Sequence, residues 1–227
     1  MLSKSRFIAG MQCPLRLWYQ CYNRKLASEI TPSQQAIFDT GHQVGRLATE
    51  LFPGGVLIHE DYLHHREAEQ STARNLTDRN AKALFEAAFS FEGIRIRTDI
   101  LQRNDDDSWD LIEVKSSTRV KDVYKSDVAI QYYVLNGVGI KVVLSGILHV
   151  NNQFFFDGNH LDLPQLFQFT NLTDEISALQ QEIYPQIIEL KKVLSLSSAP
   201  DIAPSGHCFK PYECEFWKHC SAGISGS

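Results

Sequence analysis

Three segments with strand character follow one another in the middle of the chain, and they constrain the fold more than any other feature of the sequence. The predicted strands cover residues 84–91, 94–102 and 109–115. Only Glu92 and Gly93 separate the first two strands, which is typical of a tight hairpin turn. The polar run 104–108 forms the second turn. The sequence therefore predicts an antiparallel three-stranded meander.

Helical patterns flank this meander on both sides. Helices are predicted over residues 2–23 with a break near Pro14, 31–52, 64–80, 120–136 and 174–194. The clearest start combines Thr31 as the N-cap, Pro32 at the first helical position and Gln34 as the capping-box partner. Two further strands are predicted at 141–150 and 153–156. Strands and helices mixed in this way predict an α/β fold.

The composition of the 227 residues excludes several classes of protein. The chain is long enough to bury a large core, so it needs no disulfide framework. Its net charge of −5, from 22 Lys and Arg against 27 Asp and Glu, disfavours a protein that only coats nucleic acid electrostatically. The longest apolar stretch, 140–150, is shorter than the roughly 20 residues of a membrane-spanning helix. With no secretory signal at the amino terminus, we expect a cytoplasmic protein without a membrane partner.

Two acidic residues of the meander are predicted to meet across its second hairpin. Because successive side chains of a strand point to opposite faces, Arg97 and Asp99 are expected on one face. A turn centred on Asp106 places Asp99 opposite Glu113, with their Cβ atoms about 5 Å apart. Two carboxylates this close repel each other unless a cation such as Mg²⁺ lies between them. The alternative is a surface salt bridge between Asp99 and Lys115 that leaves Glu113 in solvent.

Asp99 followed by Glu113-Val114-Lys115 resembles the motif of the PD-(D/E)XK nucleases, with Thr98 in place of the motif's proline. This resemblance implies a restriction-endonuclease-like core, which is a mixed sheet flanked by helices. It also implies that Asp99, Glu113 and Lys115 are catalytic. The two acids would hold Mg²⁺ or Mn²⁺, and Lys115 would orient or help to deprotonate the attacking water.

Two helical positions resemble the RecB-like branch of that superfamily. The branch has a helical histidine as an additional metal ligand, which implies this role for His42 in the helix predicted over 31–52. It also has a Gln and, one turn later, a Tyr that contact nucleic acid, which implies this role for Gln131 and Tyr132. The closer spacing of these two residues departs from the pattern. An ordinary surface histidine and a helix packed by aromatic residues are the structural alternatives.

A short basic run begins at the end of the third strand. Its charged residues are Lys115, Arg119, Lys121 and Lys125. A local run of this kind can steer a phosphate backbone even when the net charge of the protein is negative. We therefore expect Arg119 and Lys121 to bind nucleic acid.

Five cysteines occur near the two ends of the chain: Cys13, Cys21, Cys208, Cys214 and Cys220. An odd number without a secretory signal argues for a reducing compartment and against a disulfide scaffold. Four thiolates can hold zinc or an iron–sulfur cluster, whereas buried thiols without a ligand are the structural alternative. Zinc is less favoured, because the spacing differs from the CxxC pairs of most zinc sites.

One cysteine before the predicted core and three after it resemble the iron-staple nucleases, among them the AddB nuclease domain and the CRISPR-associated Fe–S exonucleases. The stretch from Leu2 to Phe7 and the run Gln12-Cys13-Pro14 also resemble the opening of that group. The resemblance implies a 4Fe–4S cluster that joins the two ends of the chain. The implied ligands are Cys13, Cys208, Cys214 and Cys220.

Three parts are predicted from these features: a helical N-terminal segment at 1–30, a nuclease core at 31–200 and a C-terminal cysteine segment at 201–227. The implied function is that of a metal-dependent DNA nuclease, an exonuclease on single-stranded ends or flaps. The sequence contains no GxxxxGK[ST] phosphate loop, so ATP-driven unwinding would come from a helicase or another subunit of a nuclease complex. The alternative function is a non-catalytic nucleic-acid-binding or redox-responsive module with the same fold and cluster.

Overall fold

A mixed seven-stranded sheet forms the centre of the computed structural model, which describes residues 1–159 and 161–222. Its strands are β1 (Leu2–Ser3), β2 (Gly55–Leu57), β3 (Ala83–Phe91), β4 (Ile94–Arg103), β5 (Trp109–Lys115), β6 (Val142–Val150) and β7 (Phe167–Asn171). The strand order is β2-β3-β4-β5-β6-β7, and β1 pairs with β4 beside this path. The pairs β3–β4 and β4–β5 are antiparallel, whereas β5 and β6 run parallel.

Helices cover both faces of this sheet. They are α1 (Lys4–Gln12), α2 (Pro14–Tyr22), α3 (Pro32–Thr49), α4 (His65–Thr77), α5 (Asp122–Gly137), α6 (Leu163–Leu166), α7 (Thr173–Leu194) and α8 (Trp217–Ser221). Phe7 from α1, Val128 from α5 and Ile183 from α7 enter the larger core on one face. Ala48 from α3 packs with Ile112 of β5 in a second core on the other face. The predicted α/β class, a mixed sheet flanked by helices, is therefore confirmed.

The predicted meander is present, and its first turn shows why these residues suit it. Both Glu92 and Gly93 have positive φ, 46° and 78°. A two-residue hairpin turn requires this when its twist matches the right-handed twist of the flanking strands. Glycine adopts this conformation without steric cost. The second hairpin pairs Ile100 with Ile112, which is the register predicted from a turn centred on Asp106.

The predicted alternation of side chains fails near the middle of β4. The ladder between β3 and β4 leaves out the pair of Glu86 and Asp99, and Glu86 has a φ of 56°. Ile96 lies in the larger core together with Leu101, although strict alternation would put them on opposite faces. Arg97 points away from that core and donates hydrogen bonds to two carbonyls just after β2. The predicted shared face of Arg97 and Asp99 is therefore wrong, because the strand changes face between Ile96 and Leu101.

The amino terminus enters the sheet beside the meander. β1 pairs in parallel with the first residues of β4, whereas β5 pairs with the last ones. α1 starts directly after β1, and the Ser3 hydroxyl accepts a hydrogen bond from the Arg6 amide. The backbone at Cys13 is extended, and Pro14 starts α2, so the predicted helix break is confirmed. The start of α1 therefore lies next to the point where β4 and β5 part.

Most other elements follow the sequence. The predicted helices are present as α3, α4, α5 and α7, and the strand predicted at 141–150 is β6. The Thr31 capping box with Gln34 is formed. The strand predicted at 153–156 is wrong, because β6 pairs with β7 instead, and Phe155 is 85% exposed. The sequence does not predict β1, β2 and β7, which are short. Within the described residues, no helix has the length and apolar character needed to cross a membrane.

Candidate active site

Glu113 is buried near the end of β5, with 2% of its surface exposed. Its Oε1 accepts hydrogen bonds from Lys115 Nζ at 2.7 Å and Lys4 Nζ at 3.1 Å. Its Oε2 accepts from Gln131 Nε2 at 2.8 Å and from Lys4 Nζ at 3.2 Å. Burial raises the pKa of a carboxyl, but the charges of Lys115 and Lys4 outweigh it and hold the pKa of Glu113 well below its usual range. Glu113 is therefore ionised and held in place by three donors.

Asp99 lies beside Glu113 on the neighbouring strand. Its Oδ2 accepts a hydrogen bond from the Val114 amide at 2.8 Å, so the backbone of β5 fixes this carboxylate. Burial and the charge of Glu113 raise the pKa of Asp99 to about 7. The two acids thus meet at the second hairpin, and the neighbouring lysines relieve only part of their repulsion.

Helix α5 presents one face to these carboxylates. Tyr124, Asp127 and Gln131 have the spacing that places side chains on the same side of a helix. Asp127 Oδ2 accepts a hydrogen bond from Lys115 Nζ at 2.6 Å, and Gln131 Nε2 donates both to the Asp127 carbonyl at 3.1 Å and to Glu113. Lys115 Nζ lies 5.2 Å from the centroid of the Tyr124 ring, within cation–π range. Burial and the charge of Glu113 also raise the pKa of Asp127.

We call this group the carboxylate site. It consists of Lys4, Asp99, Glu113, Lys115, Asp127 and Gln131. The sequence does not predict Asp127, although its position one helical turn before Gln131 is a usable signal. It gives no signal for Lys4, which reaches Glu113 only because β1 pairs with β4 and starts α1 at this point.

His42 does not join the carboxylate site. Its side chain is exposed on α3 and makes no hydrogen bond to Asp99 or Glu113. α3 packs against the sheet near its other end, at Ala48, whereas residues 31–40 are all exposed. In the part of the chain that the structure describes, no three His, Cys, Asp or Glu side chains are arranged as ligands around a metal ion. In this structure His42 therefore lies apart from Asp99 and Glu113, because its side chain faces solvent, whereas Ala48 of the same helix packs in the second core.

The predicted nucleic-acid-binding residues are divided between the site and its surroundings. Gln131 is completely buried and orients Glu113, so its amide is not free to contact DNA. Tyr132 packs against the larger core. Arg119 is exposed in the loop after β5, and Lys121 Nζ lies 5.7 Å from the centroid of the Tyr124 ring at the rim of the site.

The two ends of the chain meet at a second site. Its thiols line one small cavity, and we call them the cysteine site: Cys13, Cys208, Cys214 and Cys220. Burial raises the pKa of Cys214 to about 11. Among the described residues, these thiols are not arranged as ligands around a single metal ion. Cys21 packs against the larger core and does not line the cavity.

Polar contacts between the ends surround the cysteine site. Gln12 Nε2 donates to the carbonyl of His207 at 2.8 Å and to that of Tyr212 at 2.7 Å. The segment predicted at 201–227 therefore folds back onto α1, which carries Gln12 at its end. Residues 223–227 of that segment lie outside the described residues.

Tyr212 lies between Cys208 and Cys214 in the chain and is a neighbour of Tyr124. Its pKa is raised by burial and by the neighbouring Tyr124, the residue whose ring covers Lys115. α1 connects the two sites, because Lys4 at its start reaches the carboxylates and Cys13 directly follows its end. The same short segments thus contribute to both sites.

Comparison with known proteins gives little guidance. No protein-family model matches the chain, and no curated protein matches it. Among solved structures, the chain is similar to one titled "Crystal structure of SSO0001", with 14% sequence identity and a TM-score of 0.41. The alignment covers 97% of this chain and 85% of that one. A similarity of this size does not define a shared function.

Proposed function

We propose that this protein is a metal-dependent deoxyribonuclease that hydrolyses phosphodiester bonds at single-stranded DNA ends or flaps. The observation that carries the proposal is the meeting of Asp99, Glu113 and Lys115 where β4 and β5 part. A buried carboxylate and a partly buried one beside a lysine suit metal-assisted hydrolysis of a phosphodiester. On this basis we also propose that the sheet is a restriction-endonuclease-like core.

The donor atoms of the carboxylate site suit a hard divalent cation. Burial, together with the charge of Glu113, raises the pKa of Asp99 to about 7, and a cation bound between the two acids would favour its ionised form. Asp127 Oδ1 is buried and accepts no hydrogen bond from the described residues, although Lys4 Nζ lies 3.4 Å away. Mg²⁺ and Mn²⁺ prefer oxygen ligands of this kind. Asp99 and Glu113 would hold the ion, with Asp127 near them and His42 outside the set.

The metal ion would supply Lewis acidity to the scissile phosphate and make a water easier to deprotonate. The residues of the chain have separate tasks. Lys115, held by Glu113, places a positive charge where negative charge develops on the phosphate and orients the attacking water. Gln131 fixes the orientation of Glu113. Lys121 at the rim and the exposed Arg119 in the loop after β5 would attract the phosphates of the DNA.

We further propose that the cysteine site holds a 4Fe–4S cluster. Its support is that four thiols from both ends of the chain line one cavity. A four-iron cluster is larger than a single ion and takes four thiolate ligands. When bound, it would link α1 covalently to the C-terminal segment, and its loss would loosen both.

A non-catalytic nucleic-acid-binding module is the second candidate. One observation favours it: Lys4 and Lys115 already donate to Glu113, so the chain supplies its own cations to the carboxylate site. Such a module would bind DNA through its basic rim and leave the strand intact.

Degradation of end-labelled single-stranded DNA in Mn²⁺, by protein purified without oxygen, tests the proposal. We expect cleavage by the wild type, none by Glu113→Ala, and wild-type rates for Glu189→Ala, whose side chain is exposed on α7. A covalently closed circle of the same DNA should resist cleavage if a free end is required. Binding without cleavage by cluster-loaded wild type would favour the second candidate. Cleavage by Glu113→Ala would place the reaction elsewhere.

A further inference from the structure

Lys4 occupies an unusual position for a residue so close to the amino terminus. Its Nζ lies 3.1 Å and 3.2 Å from the two oxygens of Glu113 and 3.4 Å from Asp127 Oδ1. Only 22% of its side chain is exposed. Lys115, by contrast, contacts a single oxygen of Glu113. Lys4 is thus the cation that covers the whole carboxylate of Glu113.

A divalent cation held by Asp99 and Glu113 would need the same oxygens. Two positive charges about 4 Å apart repel each other strongly in a buried site, because little water screens them. The contact of Lys4 with both oxygens and the binding of a metal ion to Glu113 are therefore competing arrangements. Lys115 can stay in place, because Asp127 also accepts a hydrogen bond from it.

We propose that Lys4 is a positioning residue: it is the internal counter-ion of Glu113 and Asp127 in the metal-free protein, and a divalent cation displaces it. The inference rests on the proposed function, because it requires that the carboxylate site binds a metal ion. It adds a residue outside the nuclease motif and assigns it a role before the reaction starts.

The structure allows this movement without a change of fold. Lys4 is the first residue of α1, and its ammonium group stands on a flexible four-carbon stem. The backbone around it is fixed by the pairing of β1 with β4 and by the Ser3 cap. Gln12 anchors the other end of α1 to the C-terminal segment. The side chain can therefore move away while α1 remains in place.

The role of Lys4 is tested by titrating metal-free protein with Mn²⁺. The electron paramagnetic resonance signal of free Mn²⁺ measures how much of the ion remains unbound. Lys4→Met removes the charge but keeps most of the volume, and it should bind Mn²⁺ about tenfold more tightly than wild type. In the absence of metal, Lys4→Met should unfold at a lower temperature than the wild type, because Glu113 and Asp127 lose a cation. Added Mn²⁺ should restore the unfolding temperature. Lys192→Met, which removes an exposed lysine of α7, should match the wild type in both measurements.

The outcomes separate this inference from the proposed function. Equal or weaker Mn²⁺ affinity in Lys4→Met would overturn the role of Lys4 while leaving the metal site intact. Absence of Mn²⁺ binding by wild type and variant alike would overturn the metal site and the inference together. Should Lys4→Met not fold, Lys4→Gln keeps a polar group at the same place, and the same increase in affinity is expected of it.

Discussion

The carboxylate site and the cysteine site lie at opposite ends of α1, and they are held in different ways. Around Glu113, three side-chain donors from α1, β5 and α5 fix both carboxylate oxygens. Around the cysteines, no hydrogen bond joins one described thiol to another, and one backbone bond, from the Cys214 amide to the Cys208 carbonyl at 2.8 Å, connects two of them.

This difference indicates how each site is formed. The carboxylate site lies on paired strands and a long helix, so packing of the larger core is enough to bring its groups together. The cysteine site is built from a helix junction and short C-terminal segments, so a bound group would add most of its rigidity. We therefore expect the first site to be complete without metal and the second to depend on its ligand.

Glu113→Gln should have the largest effect. The amide keeps the shape of the side chain but removes the charge that pairs with Lys4 and Lys115 and that we propose to bind the metal ion, so we expect cleavage to fall by about 10³-fold or more. The iron content should stay at the wild-type value, because neither Glu113 nor any side chain that donates to it lines the cavity of the cysteine site. Initial rates of DNA cleavage measure the first effect, and the iron content per protein measures the second. Loss of iron in this variant would show that the two sites form one unit.

Lys115→Ala should have the second largest effect, with cleavage lowered by more than about 10²-fold. The far-ultraviolet circular dichroism should be unchanged, since strands β4 and β5 keep their pairing. Rates at saturating Mn²⁺ measure the effect. Undiminished cleavage would remove Lys115 from the mechanism.

Cys214→Ser should act on the other site. We expect loss of iron and an unfolding temperature lower by about 5 °C, because the proposed cluster would no longer link the chain ends. The Mn²⁺ affinity of the carboxylate site should change by less than about threefold, because the two sites share no side chain. Cys21→Ser is the matched control for iron, and it should keep the wild-type iron content because Cys21 does not line the cavity. A large fall in Mn²⁺ affinity in Cys214→Ser would contradict the separation of the two sites.

Gln131→Leu should have the smallest effect of the four. It removes one hydrogen bond to the ionised Glu113, and we expect a fall in cleavage of about tenfold. Tyr132→Phe, on the core side of the same helix, should cleave at the wild-type rate. Equal rates for Gln131→Leu and wild type would show that Lys4 and Lys115 position Glu113 without help.

Local patterns predict much of the carboxylate site. The register of the second hairpin follows from its turn and from alternation, and it brings Asp99 to Glu113. The face that Gln131 shares with Tyr124 follows from helical spacing. These features depend on neighbours within a few tens of residues, and the sequence therefore specifies them directly.

Features that depend on distant pairing are not predictable in this way. Lys4 is 109 positions from Glu113, and only the parallel pairing of β1 with β4 joins them. The irregularity at Glu86 and Asp99 arises in two strands at once, so neither strand alone reveals it. His42 has a suitable chemistry, but its side chain faces solvent on α3.

Anomalous scattering from crystals grown with Mn²⁺ would test the central claim, that the carboxylate site is a metal site, most directly. We predict a peak between the two acids, about 2.1 Å from an oxygen of Asp99 and from one of Glu113, with Lys4 moved away. A map without a peak at these carboxylates, with Lys4 still bound to Glu113, would contradict the account.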